Sequence, residues 1–383
     1  MGQPARYIHH RPDAKLAWLD PGARGLTAMS EQPALEFGRA FDAYQSFVLA
    51  TKLYWTRELY PTLKRKVAQT NPVEARSADD IEAFAAKDID YALFSWLERH
   101  LQQMKYSGHF GLVPAHESFR EQLETWLDSA TDDTLLELDD NFAAPEYFTR
   151  VDIHQHPGGV CGDTLAGVIY ERGARSTTPL LDRDLDLHYR LVRAVRERLT
   201  PTRIIDLGCG FGKSTHPFYD ELANAEITGV DLSAPCLKLA ALTAKSAGAR
   251  NVKFKQRHAE HTGEASAAFD LVTSTMMLHE MPAAAVEAVI KESYRLLESG
   301  GVAIHLDFLA ADDPFARFIH YGHARRNNDP YMRPLNELDI VQALCDAGFN
   351  NVEVRPFEEF PGALDENNTS WRFPWVLIIA EKD

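Results

Sequence analysis

The stretch Arg203–Pro217, RIIDLGCGFGKSTHP, decides how this chain is read. A short apolar run ends in an acid, glycines follow at Gly208, Gly210 and Gly212, and a GKST tetrapeptide closes it. The pattern predicts a strand that turns tightly into a helix. Two phosphate-binding turns share its parts. A P-loop needs G-x-x-x-x-G-K-[ST], but Leu207 stands where its first glycine belongs. Asp206, at the strand end, would also repel a polyphosphate. The dinucleotide fingerprint G-x-G-x-x-G fails too, because the third glycine arrives one residue early and Lys213 takes its place. An acid before the first glycine suits a cationic ligand better than a pyrophosphate.

The run Ile-Ile-Asp-Leu-Gly-x-Gly-x-Gly resembles motif I of the class I S-adenosylmethionine (SAM)-dependent methyltransferases. The resemblance implies SAM as cofactor, with Asp206, Gly208, Cys209, Gly210 and Gly212 in its loop. SAM carries an ammonium and a sulfonium, so an acid is welcome there, and glycines let backbone approach closely. Asp231 ends the second expected strand and can accept both ribose hydroxyls. Its spacing matches the acid about 20 residues on in nucleotide-binding βαβ units, and Leu232 beside it can flank adenine. After the third strand, Arg257-His258-Ala259-Glu260 takes the place where many members carry Asp-Ala-Glu. His258 replaces the acid that bonds the adenine amino group in the family, which puts that contact in question; Ala259 still offers backbone.

From Gly208 onward strand and helix patterns alternate, as in a doubly wound sheet. The expected strands are Arg203–Leu207, Ile227–Asp231, Val252–Gln256, Phe269–Ser274, Gly301–Phe308, Val352–Phe357 and Trp375–Glu381. The expected helices include Ala234–Gly248, capped by Ser233 with Pro235 in its first turn, and Ala283–Glu298. No helical pattern separates the last two strands, which are expected to run antiparallel. The fold class is therefore α/β, a seven-stranded doubly wound methyltransferase sheet with an N-terminal mainly helical domain. Four units are expected: an extension over 1–30, a helical domain over 31–144, a connecting segment and linker helix over 145–199, and the SAM-binding domain over 200–383. In the helical domain Tyr44, Phe47, Tyr54, Trp55, Phe94, Trp96, Phe119 and Trp126 fall at helical spacing and read as core.

Composition narrows the partners. The 383 residues carry 56 acids against 40 bases, a net charge of −16, which argues against nucleic acid. No apolar run approaches the 18 residues of a membrane span, and the N-terminal MGQPARYIHH lacks a signal-peptide core. Four scattered cysteines without a paired spacing suit a cytoplasmic location.

The loops at the carboxyl ends of the strands offer the chemistry. His279 and Glu280 follow the fourth strand and Asp307 ends the fifth, so they are the candidates to orient or deprotonate an acceptor. The segment Pro145–Ser176, dense in His, Gly, Asp and Tyr, supplies His154, His156 and Tyr170. In an extended segment the two histidines would point the same way; no metal site is expected. His320 and His323 share a helix face in the basic insert Phe315–Arg333, where Arg325, Arg326 and Arg333 read as an anion-binding lid. The expected activity is methyl transfer from SAM to a small molecule, an anionic one if the lid reading holds, with a homodimer formed through the helical domain. The competing expectation is a catalytically silent SAM-binding protein acting through that domain.

Overall fold

A computed structural model describes residues 33–70, 77–132, 134–175 and 186–383. The expected extension over 1–30 lies outside the described residues. Among the described residues eight strands form one sheet: β1 (Leu136–Glu137), β2 (Arg203–Leu207), β3 (Glu226–Asp231), β4 (Val252–Gln256), β5 (Phe269–Thr275), β6 (Leu297–Phe308), β7 (Asn350–Pro356) and β8 (Trp375–Glu381). Their spatial order is β1-β4-β3-β2-β5-β6-β8-β7. All neighbours run parallel except β8, which is antiparallel to both β6 and β7.

The central strands are apolar runs because both faces are covered: Ile204, Ile205 and Leu207 of β2 are fully buried. Chain order reverses at β2, flanked by β3 and β5, and the crevice beyond such a reversal is where these sheets hold ligands. Helix Ala234–Ser246 starts as its sequence demands, with Ser233 Oγ accepting the Cys236 N–H at 3.2 Å and Pro235 in the first turn. The eighth strand was not foreseen. β1 is two residues long, too short to show a period, and it joins the sheet edge beside β4 through Leu136↔Phe254 and Glu137↔Lys255.

In the helical part, helix Arg39–Tyr54 runs through a π turn at Trp55–Leu59 into helix Tyr60–Thr70. The widened turn sets Trp55 inward, where its Nε1 donates to the Phe94 carbonyl at 3.0 Å. Helix Ala78–Ala85 opens on a Ser77–Asp80 capping box, and helix Ile89–Tyr106 is capped by Asp88. Both pack against helix Pro314–Asn327, which follows β6. Of the aromatics read as core, Phe94 and Trp55 are buried, whereas Phe47, Tyr54 and Trp96 stand half exposed, at 57%, 50% and 56%. No helix among the described residues is long and apolar enough to cross a membrane.

Candidate active site

The loop after β2 is shaped by its glycines. Gly208 sits at φ 66° and Gly210 at φ 52°, the left-handed region that side chains avoid. A Cβ on Gly208 would meet Met277 Sδ at 2.6 Å, whereas one on Gly210 would meet nothing within 4 Å. Gly210 therefore offers bare backbone to an open cavity. Asp206 does not face that cavity. Its Oδ2 accepts hydroxyl hydrogens from Ser214 and Thr215, each at 2.7 Å, so the expectation of a direct ligand contact is corrected: Asp206 braces the loop from behind. The GKST that mimicked a P-loop supplies these two hydroxyls. Burial raises the Asp206 carboxyl to about 6, against the two hydroxyl bonds that pull it down. Gly212 lies against Ala240 of helix Ala234–Ser246 and is absent from the cavity wall.

Asp231 lies at the end of β3 and lines the cavity with Leu232, Ala259 and Glu260. Two backbone N–H groups hold its carboxylate, Gly210 on Oδ2 and Ser233 on Oδ1, both at 2.8 Å. Burial again raises its pKa to about 6. The Tyr147 hydroxyl donates to Glu260 Oε1 at 2.6 Å. His258 turns away, its ring 4.6 Å from that of Phe142. These residues fit SAM: an open backbone cradle at Gly210, a fixed carboxylate beside it, and apolar walls at Leu232 and Ala259.

A polar cluster stands across the cavity. His279 Nδ1 bonds Asp307 Oδ1 at 2.7 Å. Asp307, fully buried, also accepts the N–H groups of Leu278 and Phe308, both at 2.8 Å. Only His279 of this pair reaches the cavity, so Asp307 is a positioning residue. His154 lies between Glu280 (Nε2 to Oε1, 2.9 Å) and Asp329 (Nδ1 to Oδ1, 2.9 Å). Burial works to lower its pKa, but the two carboxylates outweigh burial and lift it to about 10. The same contest raises His279, with Asp307 the main opponent of burial.

The expectation that His154 and His156 point the same way fails, because Ile153–Gln155 is a 3₁₀ turn with His154 at φ 57°. His156 instead stacks on Tyr106, centroids 4.7 Å apart, and burial lowers its pKa to about 4. Tyr170 does line the cavity, edge-on to Phe211 at 5.5 Å.

Beyond the cluster the wall becomes apolar, with Trp55, Tyr106, Phe148, Phe308, Trp371 and Phe373 from both parts of the chain. Two lysines of the helical part, Lys52 and Lys105, also reach it; burial lowers Lys52 to about 8 and Lys105 well below its usual range. The basic insert is not a lid. It is the helix Pro314–Asn327 with the residues just after it, and its arginines tie the two parts together: Arg325 pairs with Glu82, buried Arg326 with Glu98, and Arg333 with Glu337 and Asp79. None of the three lines the cavity, nor does His320; His323 does, bonding Glu98 at 2.6 Å.

Sequence reasoning missed Asp329, Tyr147, Lys52 and Lys105. The asparagine-rich turn NNDP around Asp329 carries no motif. The two lysines occupy positions on amphipathic helices that usually face water.

Residues 204–301 match the family model described as "Methyltransferase domain". Over 102 residues the chain is 36% identical to a ubiquinone biosynthesis O-methyltransferase of Paracidovorax citrulli, covering 26% of this chain and 40% of that protein. It is 24% identical over 190 residues to a ubiquinone/menaquinone biosynthesis C-methyltransferase of Rhizobium meliloti, covering 44% of this chain and 72% of that one. A methyltransferase structure from Bacillus halodurans, itself described as putative, aligns over 51% of this chain and 98% of its own, at 19% identity and a TM-score of 0.42.

Proposed function

We propose, for a chain whose residues 204–301 match a methyltransferase domain, that the protein is a SAM-dependent enzyme passing a methyl group in line to a small acceptor held under the helical part. One observation carries this reading: a single cavity joins Gly210 and Asp231 to His279, Trp55 and Trp371. SAM, when bound, supplies an electrophilic methyl on a sulfonium. Asp231, held by the Gly210 and Ser233 N–H groups, would accept the ribose hydroxyls, and Leu232 and Ala259 would flank the adenine. At the far end His279, its Nδ1 engaged by Asp307, offers Nε2 to the proton of the acceptor's nucleophile. The apolar wall excludes water and fixes the acceptor's approach, and for such a displacement positioning supplies most of the acceleration.

The relatives are named for ubiquinone and menaquinone biosynthesis, and the aromatic wall supports an apolar cyclic acceptor here. In this reading the units 31–144, 145–199 and 200–383 serve as acceptor cover, connecting wall and cofactor domain. Unpaired thiols at Cys161, Cys209, Cys236 and Cys345 suit work in a reducing cytoplasm.

The test is turnover. SAM mixed with hydroxylated quinone precursors should yield S-adenosylhomocysteine and methylated product. Tight SAM binding with no turnover for any acceptor would favour the silent binding protein instead.

A further inference from the structure

Two histidines and a glutamate from distant parts of the chain meet in the cavity wall. A ring nitrogen of His154, one of His279 and a carboxylate oxygen of Glu280 all lie within 4.8 Å of one another. In each ring the other nitrogen is already taken by a buried aspartate: Nδ1 of His154 by Asp329 at 2.9 Å and Nδ1 of His279 by Asp307 at 2.7 Å. Asp329 is 3% exposed and Asp307 fully buried. A carboxylate on one imidazole nitrogen fixes the tautomer and leaves the other as ligand, the outer arrangement that metal-bound histidines almost always show. Here it occurs twice around one point, and at His154 the remaining Nε2 meets Glu280 Oε1 at 2.9 Å, so an ion would displace the proton held between those two ligands. The backbone invests in it as well: His154 and Gln155 sit at φ 57° and 56°, rare for non-glycine residues, and Gln155 is clamped by the Arg99 and Arg326 carbonyls at 3.1 and 2.7 Å.

We propose that His154, His279 and Glu280 hold one divalent transition-metal ion whose open positions take the acceptor's oxygen. Two imidazoles and one carboxylate suit Zn²⁺, Fe²⁺, Co²⁺ or Mn²⁺ better than Mg²⁺ or Ca²⁺. Ligand atoms at about 2.0–2.2 Å from such an ion stand roughly 3–4 Å from one another, so small side-chain rotations close the site. The ligand class that follows is an acceptor with an acidic hydroxyl, such as a phenol or an enol.

The inference rests on the methyl-transfer reading and alters one step of it. The acceptor's O–H bond breaks with its proton passing to solvent water, because the ion lowers the hydroxyl pKa. An oxygen lone pair forms the O–CH₃ bond, and the S–CH₃ bond breaks with its electron pair returning to sulfur as a neutral thioether. The ion keeps its charge state throughout. His279 is then a ligand and not the base.

The experiment is a titration of the chelator-treated protein with Co²⁺, followed by calorimetry and by visible absorption. One ion per chain is expected, with an absorption band typical of nitrogen–oxygen coordination. His154→Ala, His279→Ala and Glu280→Gln should each weaken binding by at least about tenfold, and Asp329→Asn by about 10–100-fold, the usual cost of an outer-shell partner. His100→Ala, on the outer face of the helical part, should leave it unchanged. Glu280→Gln keeps the shape of the site and reads the proposal even where a histidine variant fails to fold. No stoichiometric Co²⁺ binding, or binding that survives in all three ligand variants, would overturn it. Chelator-treated protein with undiminished methyl transfer would also overturn it, while leaving His279 as the base. Co²⁺ bound at this site in a protein that never turns over SAM would support the site and remove the methyl-transfer reading.

Discussion

Gly210 donates its backbone N–H to Asp231 Oδ2 at 2.8 Å, so the end of β3 and the middle of the glycine loop form one rigid unit. The carboxylate proposed to hold the cofactor is thus set before any ligand arrives, and it is set in a buried place that raises its pKa to about 6.

That position predicts a pH dependence. A ribose hydroxyl donates to the ionised carboxylate, so protonation of Asp231 competes with binding. SAM affinity should hold above pH 6 and fall below it by up to about tenfold per unit. Calorimetry across pH 5–8 checks this, with Asp231→Asn as the comparison: its profile should be flat through the same window. An equally sloped profile in the variant would assign the titration to another group.

Bracing of the loop gives a second expectation. Thr215→Val removes one hydroxyl from the buried Asp206 carboxylate and should cost about 1.5–3 kcal/mol, the range for bonds to charged groups. Urea unfolding measures it. SAM affinity should change less than in any Asp231 variant, because Asp206 does not touch the cavity.

The arginines of helix Pro314–Asn327 separate by burial. Arg325→Ala breaks an exposed pair with Glu82 and should cost about 0–1 kcal/mol, with no change in acceptor KM. Glu98→Ala leaves Arg326 buried without its carboxylate and should cost about 3–5 kcal/mol. Thermal unfolding and acceptor kinetics on both variants test the contrast; a raised KM in Arg325→Ala alone would restore the lid.

Phe47, Tyr54, Ile89, Leu93 and Trp96 are exposed on helices Arg39–Tyr54 and Ile89–Tyr106, the surface through which the homodimer expected from the sequence would form. Light scattering should give a dimer mass, and Phe47→Glu with Trp96→Glu should give a monomer that still binds SAM. A wild-type monomer at working concentration would rule the dimer out.

Much of this was legible beforehand wherever a local pattern carried it. The glycine spacing, the apolar β2 run, the Ser233 cap and the strand-end Asp231 each follow from a short stretch of residues. What sequence could not give was direction. Asp206 turns back onto Ser214 and Thr215, and His154 leaves the extended path through a positive φ, so neither side chain points where its spacing implied. The arginines of the insert found carboxylates more than two hundred residues earlier in the chain, Glu82 and Glu98, which no local pattern reveals. Asp329 became part of the site for the same reason, through the fold and not through a motif.

Calorimetry on wild type and Asp231→Ala tests SAM binding in the cavity lined by Gly210 and Asp231. Wild type should bind SAM one to one and NAD not at all. Loss of two hydroxyl bonds to a carboxylate, each worth about 1.5–3 kcal/mol and partly replaced by water, should weaken SAM binding in the variant by about 10²-fold. The Gly210 and Ser233 N–H groups also lose their partner, so a modest drop in melting temperature should accompany it. Wild-type protein that binds no SAM, or a folded variant that binds it as tightly as wild type, would contradict the account.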